Sequence, residues 1–143
     1  MSSVRLHIPG DPKPLSRPRA FRNKKTGQMI WLTPSTTLQY QQLVRTAALQ
    51  RKDEIEALRA PDPYGRMTVQ VDMVFRNHRH ADASNVVCNI MDGLGLALGV
   101  HKQSADKYFI GGSRKVDVIP GLTEGSVLIE ITAYQDGKRE ELI

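Results

Sequence analysis

From Met67 to Phe75 the chain alternates without a break, with Met67, Val69, Val71, Met73 and Phe75 on one side and Thr68, Gln70, Asp72 and Val74 on the other. A period of two sustained over this length predicts a strand with one face in a core. The strand leads through a polar connection, Arg76-Asn77-His78-Arg79-His80, to a run from Val86 to Leu98 whose apolar positions are Val86, Val87, Ile90, Met91, Leu94, Leu96, Ala97 and Leu98. That run predicts a buried helix, stopped by Gly99, since glycine takes the left-handed turn that ends helices at little cost. A strand and a helix with buried faces call for a layered domain, and a polar loop between them is a common place for chemistry.

The other elements follow from the same periodicities. Val4, Leu6 and Ile8 alternate with Arg5 and His7 and predict a first strand ended by Pro9-Gly10. Pro9, Pro12, Pro14 and Pro18 then exclude helix, so residues 9–28 read as a basic, proline-rich extended loop with a turn at Lys24-Lys25-Thr26-Gly27. Met29 to Thr33 predicts a strand pairing back toward the first, and Pro34 stops it. Ser35 or Thr36 caps a long helix over residues 36–59, which Pro61-Asp62-Pro63-Tyr64-Gly65 ends. Tyr108-Phe109-Ile110 opens a strand that reaches Val118 with a break at Gly111-Gly112, and Val127 to Tyr134 forms the last strand. Residues 135–143 read as a frayed polar tail. The expectation is one α+β domain over residues 1–143, two layers thick, a mixed or antiparallel sheet with two helices packed mainly on one face.

A polar line interrupts the apolar helix. At about 100° per residue, Asp82, Asn85, Asn89 and Asp92 share an arc of roughly 80°. Two carboxylates and two carboxamides are hard oxygen donors of the kind that suit Mg²⁺. The same residues have commoner uses: Asp82 or Ser84 as the helix N-cap, Asn89 and Asp92 as the wet face of an amphipathic helix. The one cysteine, Cys88, excludes an internal disulfide, and its place in the apolar pattern predicts packing. No CxxC or HExxH spacing points to zinc.

Charge is unevenly placed. The formal net charge is +5, yet residues 1–33 hold seven cations (Arg5, Lys13, Arg17, Arg19, Arg22, Lys24, Lys25) against Asp11, a net of +6 that leaves −1 for the rest. Such a segment, stiffened by prolines, fits a polyanion, nucleic-acid phosphate first; a solvated basic loop is the alternative. Candidate DNA contacts are Lys13, Arg17, Arg19, Arg22, Lys24, Lys25 and, from the second polar loop, Arg79. No apolar run approaches the roughly 20 residues of a membrane span, and the polar N-terminus lacks a signal-peptide core, so a cytoplasmic protein without membrane contact is expected.

Two separated patterns then combine. The first is Gly10-Asp11-Pro12-Lys13 with Arg17-Pro18-Arg19, followed by Thr33-Pro34 opening a helix that carries Tyr40; the second is Asp82-Ala83-Ser84-Asn85 followed by Asp92-Gly93-Leu94. In this order and spacing they resemble the RusA family of Holliday-junction resolvases, small endonucleases frequent in phages and prophages. The resemblance spans nearly the whole chain and implies a RusA-like fold. It implies a homodimer that binds four-way DNA junctions and makes paired Mg²⁺-dependent nicks in recombination and repair, with no small-molecule cofactor.

Carried over by position, Asp82 and Asp92 take catalytic roles. Asp106 stands in as a further carboxylate, with Lys102 or Lys107 as the cation beside the phosphate. Asp82 and Asp106 are the metal ligands, and Asn85 and Asn89 support them. Three positions depart from the pattern: Cys88 where the family usually has lysine, Gln103-Ser104 near its usual Asp-Asp pair, and Ser84 where many members have a second aspartate. The departures keep open a diverged, non-catalytic dimer that binds DNA or RNA through its basic surface. An unrelated RNA-binding or phage structural protein needs only the basic arm. His78, His80 and His101 are candidate proton carriers, and Tyr40 and Arg45 candidate substrate contacts.

Overall fold

Alternation in the sequence becomes burial in the computed structural model, which describes residues 3–16, 19–100 and 105–134. The strands are β1 (Ser3–Pro9), β2 (Arg19–Arg22), β3 (Met29–Leu32), β4 (Met67–Phe75), β5 (Phe109–Val118) and β6 (Ser126–Ala133). The helices are α1 (Ser35–Leu49), α2 (Lys52–Arg59), α3 (Ala83–Ala97) and the short α4 (Ala105–Tyr108). The expected frayed tail, 135–143, lies outside the described residues. Among the described residues no helix is long and apolar enough to cross a membrane.

Four strands form one sheet in the order β1-β6-β4-β5. β6 runs antiparallel to both β1 and β4, while β4 and β5 are parallel, so the sheet is mixed. A parallel pair needs a crossover, and α3 supplies it. Val4, Leu6 and Ile8 of β1, the odd-numbered residues of β4, and Val127, Ile129 and Ile131 of β6 are all buried on one face. Tyr40, Val44 and Ala48 of α1, Ile55 and Leu58 of α2, and Val86, Ile90, Leu94 and Ala97 of α3 close the same core. The chain is an α+β domain with a mixed sheet, as its periodicity implied. The break at Gly111-Gly112 is a bulge: Val69 pairs with Gly111 and Val71 with Arg114, two steps on β4 against three on β5.

Helix α3 ends as Gly99 predicted. Gly99, at φ +72°, donates its N–H to the Leu96 carbonyl (3.2 Å), and Val100 donates to that of Gly95 (2.9 Å), the paired closure of a Schellman turn.

Four expectations are corrected. The helix expected over 36–59 is two helices, because Arg51 leaves helical geometry (φ −119°, ψ 20°) and its guanidinium clasps Glu54 at 2.6 and 2.5 Å. The changed direction lets Ile55 and Leu58 reach the core. The strand after the basic turn pairs with β2 and not with the first strand. Asn23 closes that hairpin locally, its Oδ1 accepting from Lys25 N (2.9 Å) and Thr26 N (3.4 Å), and local closure costs less entropy than a distant pairing. Arg19–Arg22 is therefore strand, and irregular chain dominates only the proline-rich part of the 9–28 segment. Cys88 is exposed on α3 and not packed in the core.

α1 and α3 approach most closely at Gly93. A Cβ there would stand 2.8 Å from Val44 Cβ and 2.9 Å from the Gln41 carbonyl oxygen. Because one neighbour is backbone, it has little room to give. Gly93→Ala is therefore expected to destabilise the fold by about 1–3 kcal/mol through overpacking, despite alanine's better helix propensity. Urea unfolding checks this; wild-type stability would show that the helices separate freely.

Candidate functional site

The proline-rich loop is not loose. The Asn89 side chain, fully buried on α3, donates from Nδ2 to the carbonyls of Lys13 (3.1 Å), Pro14 (3.5 Å) and Thr37 (3.4 Å). The Asn85 carbonyl accepts from Leu15 N at 2.9 Å. Thr37 Oγ1 accepts from Ser16 N and donates to the Pro14 carbonyl, both at 3.2 Å. One member of the polar line on α3, Asn89, is thus the side-chain seat of the loop. Prolines give the loop carbonyls without matching N–H donors, and the buried carboxamide satisfies several of them.

A second anchor holds the start of the loop. Asp11 Oδ1 accepts from Gly125 N (2.7 Å), and its Oδ2 pairs with Arg76 Nη2 (3.1 Å). Arg76 also reaches the Thr123 carbonyl at 3.4 Å. Gly125 is required at this crossing, since a Cβ would lie 2.2 Å from the Val74 carbonyl oxygen.

These two anchors leave a cleft of about 220 Å³ at the C-terminal end of β4. One wall is Asp11 to Pro14, the other Phe75, Arg76, Asn77 and Arg79 to Ala81. Lys13 and Arg79 stand exposed at it, and neither pairs with a carboxylate among the described residues. Asn77 Oδ1 accepts from Arg79 N (2.9 Å) and shapes the loop. His80 stacks on Phe75 (centroids 4.1 Å apart), and its Nδ1 lies 2.7 Å from the Ala81 carbonyl. A carbonyl only accepts, so Nδ1 carries the proton and Nε2 is the basic nitrogen of the neutral ring.

Asp82 comes directly after this loop. It is the N-cap of α3, with Oδ1 accepting from Ser84 N at 2.8 Å, and its side chain is exposed. Asp92, half-buried, sits ten residues along an unbroken helix, about 15 Å from Asp82. Asp106 belongs to α4, immediately before Phe109, which pairs with Met67 at the opposite end of β4. The crossover thus sets the backbones of Asp82 and Asp106 on the order of 20 Å apart, the length of α3. The side chains of Asp106 and Arg19 are not described, and Arg17, His101 and Lys102 lie outside the described residues.

Among the described residues no group of three or more His, Cys, Asp or Glu is placed to hold a metal ion. Of the expected pair of metal ligands, Asp82 and Asp106, only the Asp82 side chain is described.

The remaining expected contacts divide. Arg22, Lys24 and Lys25 lie exposed on the β2–β3 hairpin, away from the cleft walls. Arg5 leaves the basic cluster, pairing with Glu130 at 2.7 Å on the sheet face away from the helices. Tyr40 faces the core instead of a substrate, and burial pushes its phenol ionisation up. One cation is not apparent from the sequence: Arg114 Nη1 donates to Ser84 Oγ at 2.5 Å, bringing positive charge from β5 to the start of α3. The register across the Gly111-Gly112 bulge sets this contact, and sequence spacing does not reveal it. Compared with models of protein families and with characterised proteins, the chain matches none.

Asn89→Ala should cost about 2–3 kcal/mol, since it strips buried carbonyls of their donor. Hydrogen exchange at the Leu15 and Ser16 amides should quicken more than at β4. Uniform quickening would mean that Asn89 serves global stability and not the loop.

Proposed function

We propose that this protein binds branched DNA through the basic cleft at the end of β4, with four-way junctions as the substrate that its RusA resemblance suggests. The observation that carries this reading is the pair of exposed cations, Lys13 and Arg79, lining a cleft whose loop wall is fixed by Asn89 and Asp11. Cations held on a pre-ordered backbone suit phosphate, because little side-chain and loop freedom is lost on binding. The hairpin cations Arg22, Lys24 and Lys25 extend the positive surface.

Two readings of the step after binding are each favoured by an observation. Asp82 lies next to the cleft residue Ala81, which favours the endonuclease, the homodimeric resolvase making paired Mg²⁺-dependent nicks. The cap bond from Asp82 to Ser84, and the distance of Asp92 and Asp106, favour the non-catalytic binding dimer. In either case Lys13, Arg79 and Arg114 hold phosphate near the start of α3. His80, with Nδ1 committed to a carbonyl, offers Nε2 as a proton acceptor there.

Incubation with a synthetic four-way junction in Mg²⁺ or in EDTA tests the proposal. Binding in both with cleavage only in Mg²⁺ selects the endonuclease; binding without cleavage selects the module; no binding removes both. Asp82→Asn should abolish Mg²⁺-dependent cleavage while leaving junction binding intact or tighter, and it should leave stability nearly unchanged because asparagine caps about as well. Arg17→Ala combined with Arg19→Ala should weaken binding and lower the salt slope by about 0.9 for each phosphate no longer neutralised. An unchanged slope would take those residues out of the interface.

A further inference from the structure

The β2–β3 hairpin has no counterpart in the rest of the fold. Its register pairs Arg19 with Leu32, Ala20 with Trp31, Phe21 with Ile30 and Arg22 with Met29. Ala20, Trp31, Arg22 and Met29 therefore share one face, and Leu32, Phe21 and Ile30 the other. Neither face is covered: Trp31 is 69% exposed and Phe21 52%. Neither ring has an aromatic or cationic partner among the described residues. A two-stranded ribbon showing apolar side chains on both faces is marginal in water by itself.

Charge selects the occupant. Residues 19–32 carry Arg19, Arg22, Lys24 and Lys25 and no acid. Two such ribbons repel each other, so a second copy is a poor partner and a polyanion a good one. Duplex phosphate alone would leave the rings in water. A ring whose cross-strand neighbour is only alanine, flanked on its own face by Arg22, instead suits a flat aromatic partner with an anionic backbone alongside. Unpaired bases offer that combination.

We infer that the β2–β3 hairpin is a stacking platform for unpaired bases of a nucleic acid, with Trp31 receiving a base and Arg22, Lys24 and Lys25 tracking the backbone. This rests on the DNA-binding reading above and adds a preference for strands that expose their bases, as at a branch point.

Trp31 is the one tryptophan of the chain, so its emission reports on this hairpin alone. The test titrates the protein with oligothymidylate of about 20 nucleotides, an abasic oligomer of equal length and a blunt duplex, with anisotropy of labelled DNA followed in parallel. Oligothymidylate should quench Trp31 saturably, and the abasic oligomer should do so several-fold less. Trp31→Ala should weaken oligothymidylate binding about tenfold with little effect on the duplex or on the melting temperature, and Trp31→Phe should recover most of the loss.

DNA bound with Trp31 emission unchanged, or Trp31→Ala at wild-type affinity, would overturn the platform while leaving the cleft's DNA binding in place. A blue shift as the protein is concentrated without DNA would show a second copy on the hairpin and overturn it equally. If no DNA form is bound, the platform falls together with the reading on which it rests.

Discussion

One carboxamide ties the proline-rich loop to the core. Asn89 is fully buried between α1 and α3, yet its Nδ2 reaches outward to loop carbonyls at Lys13 and Pro14 as well as inward to Thr37. The loop is built from prolines that cannot donate, so it has no ladder of its own to join. Without this donor its carbonyls would be desolvated for nothing in return. Position and order of the cleft wall therefore depend on a residue that touches no ligand.

The same economy of means recurs at Asp11. The lone acid of a strongly basic segment is engaged by Arg76 and the Gly125 amide, so it binds the loop to two other chain segments. It also partly neutralises Arg76, leaving Lys13 and Arg79 as the cleft cations without a carboxylate partner among the described residues. Among the described side chains, the basic excess that reads as one block in sequence is three groups in space: Arg5 against Glu130, Lys13 at the cleft, and Arg22, Lys24 and Lys25 on the hairpin.

What the sequence reveals, and what it hides, has a physical pattern. β1, β4, β6 and α3 are legible because each puts a strong period against a single core, and the strand break at Gly111-Gly112 because glycine marks bulges. The kink after Leu49 is hidden: Gln50, Arg51 and Lys52 are all acceptable in a helix, and the reason to turn is the reach of Ile55 and Leu58, a tertiary demand. Periodicity also cannot name a strand's partner, so it does not show that β3 pairs with β2 and not with the first strand. At the site, Asp82 takes its commoner role as a cap. The polar line is visible in the sequence but its purpose is not, because the groups Asn89 satisfies come from residues 13, 14 and 37. Arg114 is invisible for a like reason, meeting Ser84 across the sheet edge.

The sheet joins the two ends of the described chain, and that sets the order in which the molecule can be built. Among the described residues β1 has β6 as its sheet neighbour, so that Arg5 meets Glu130, 125 residues further on. During synthesis β1 stays without its sheet partner, and Asp11 without its Gly125 contact, until the segment from Gly125 through β6 has left the ribosome. The hairpin pairs residues close in sequence, whereas the Asp11 anchor of the cleft needs Gly125. A nascent chain arrested before Gly125 would therefore hold the loop by its Asn89 anchor alone, with the Asp11 end of the cleft wall still unpinned.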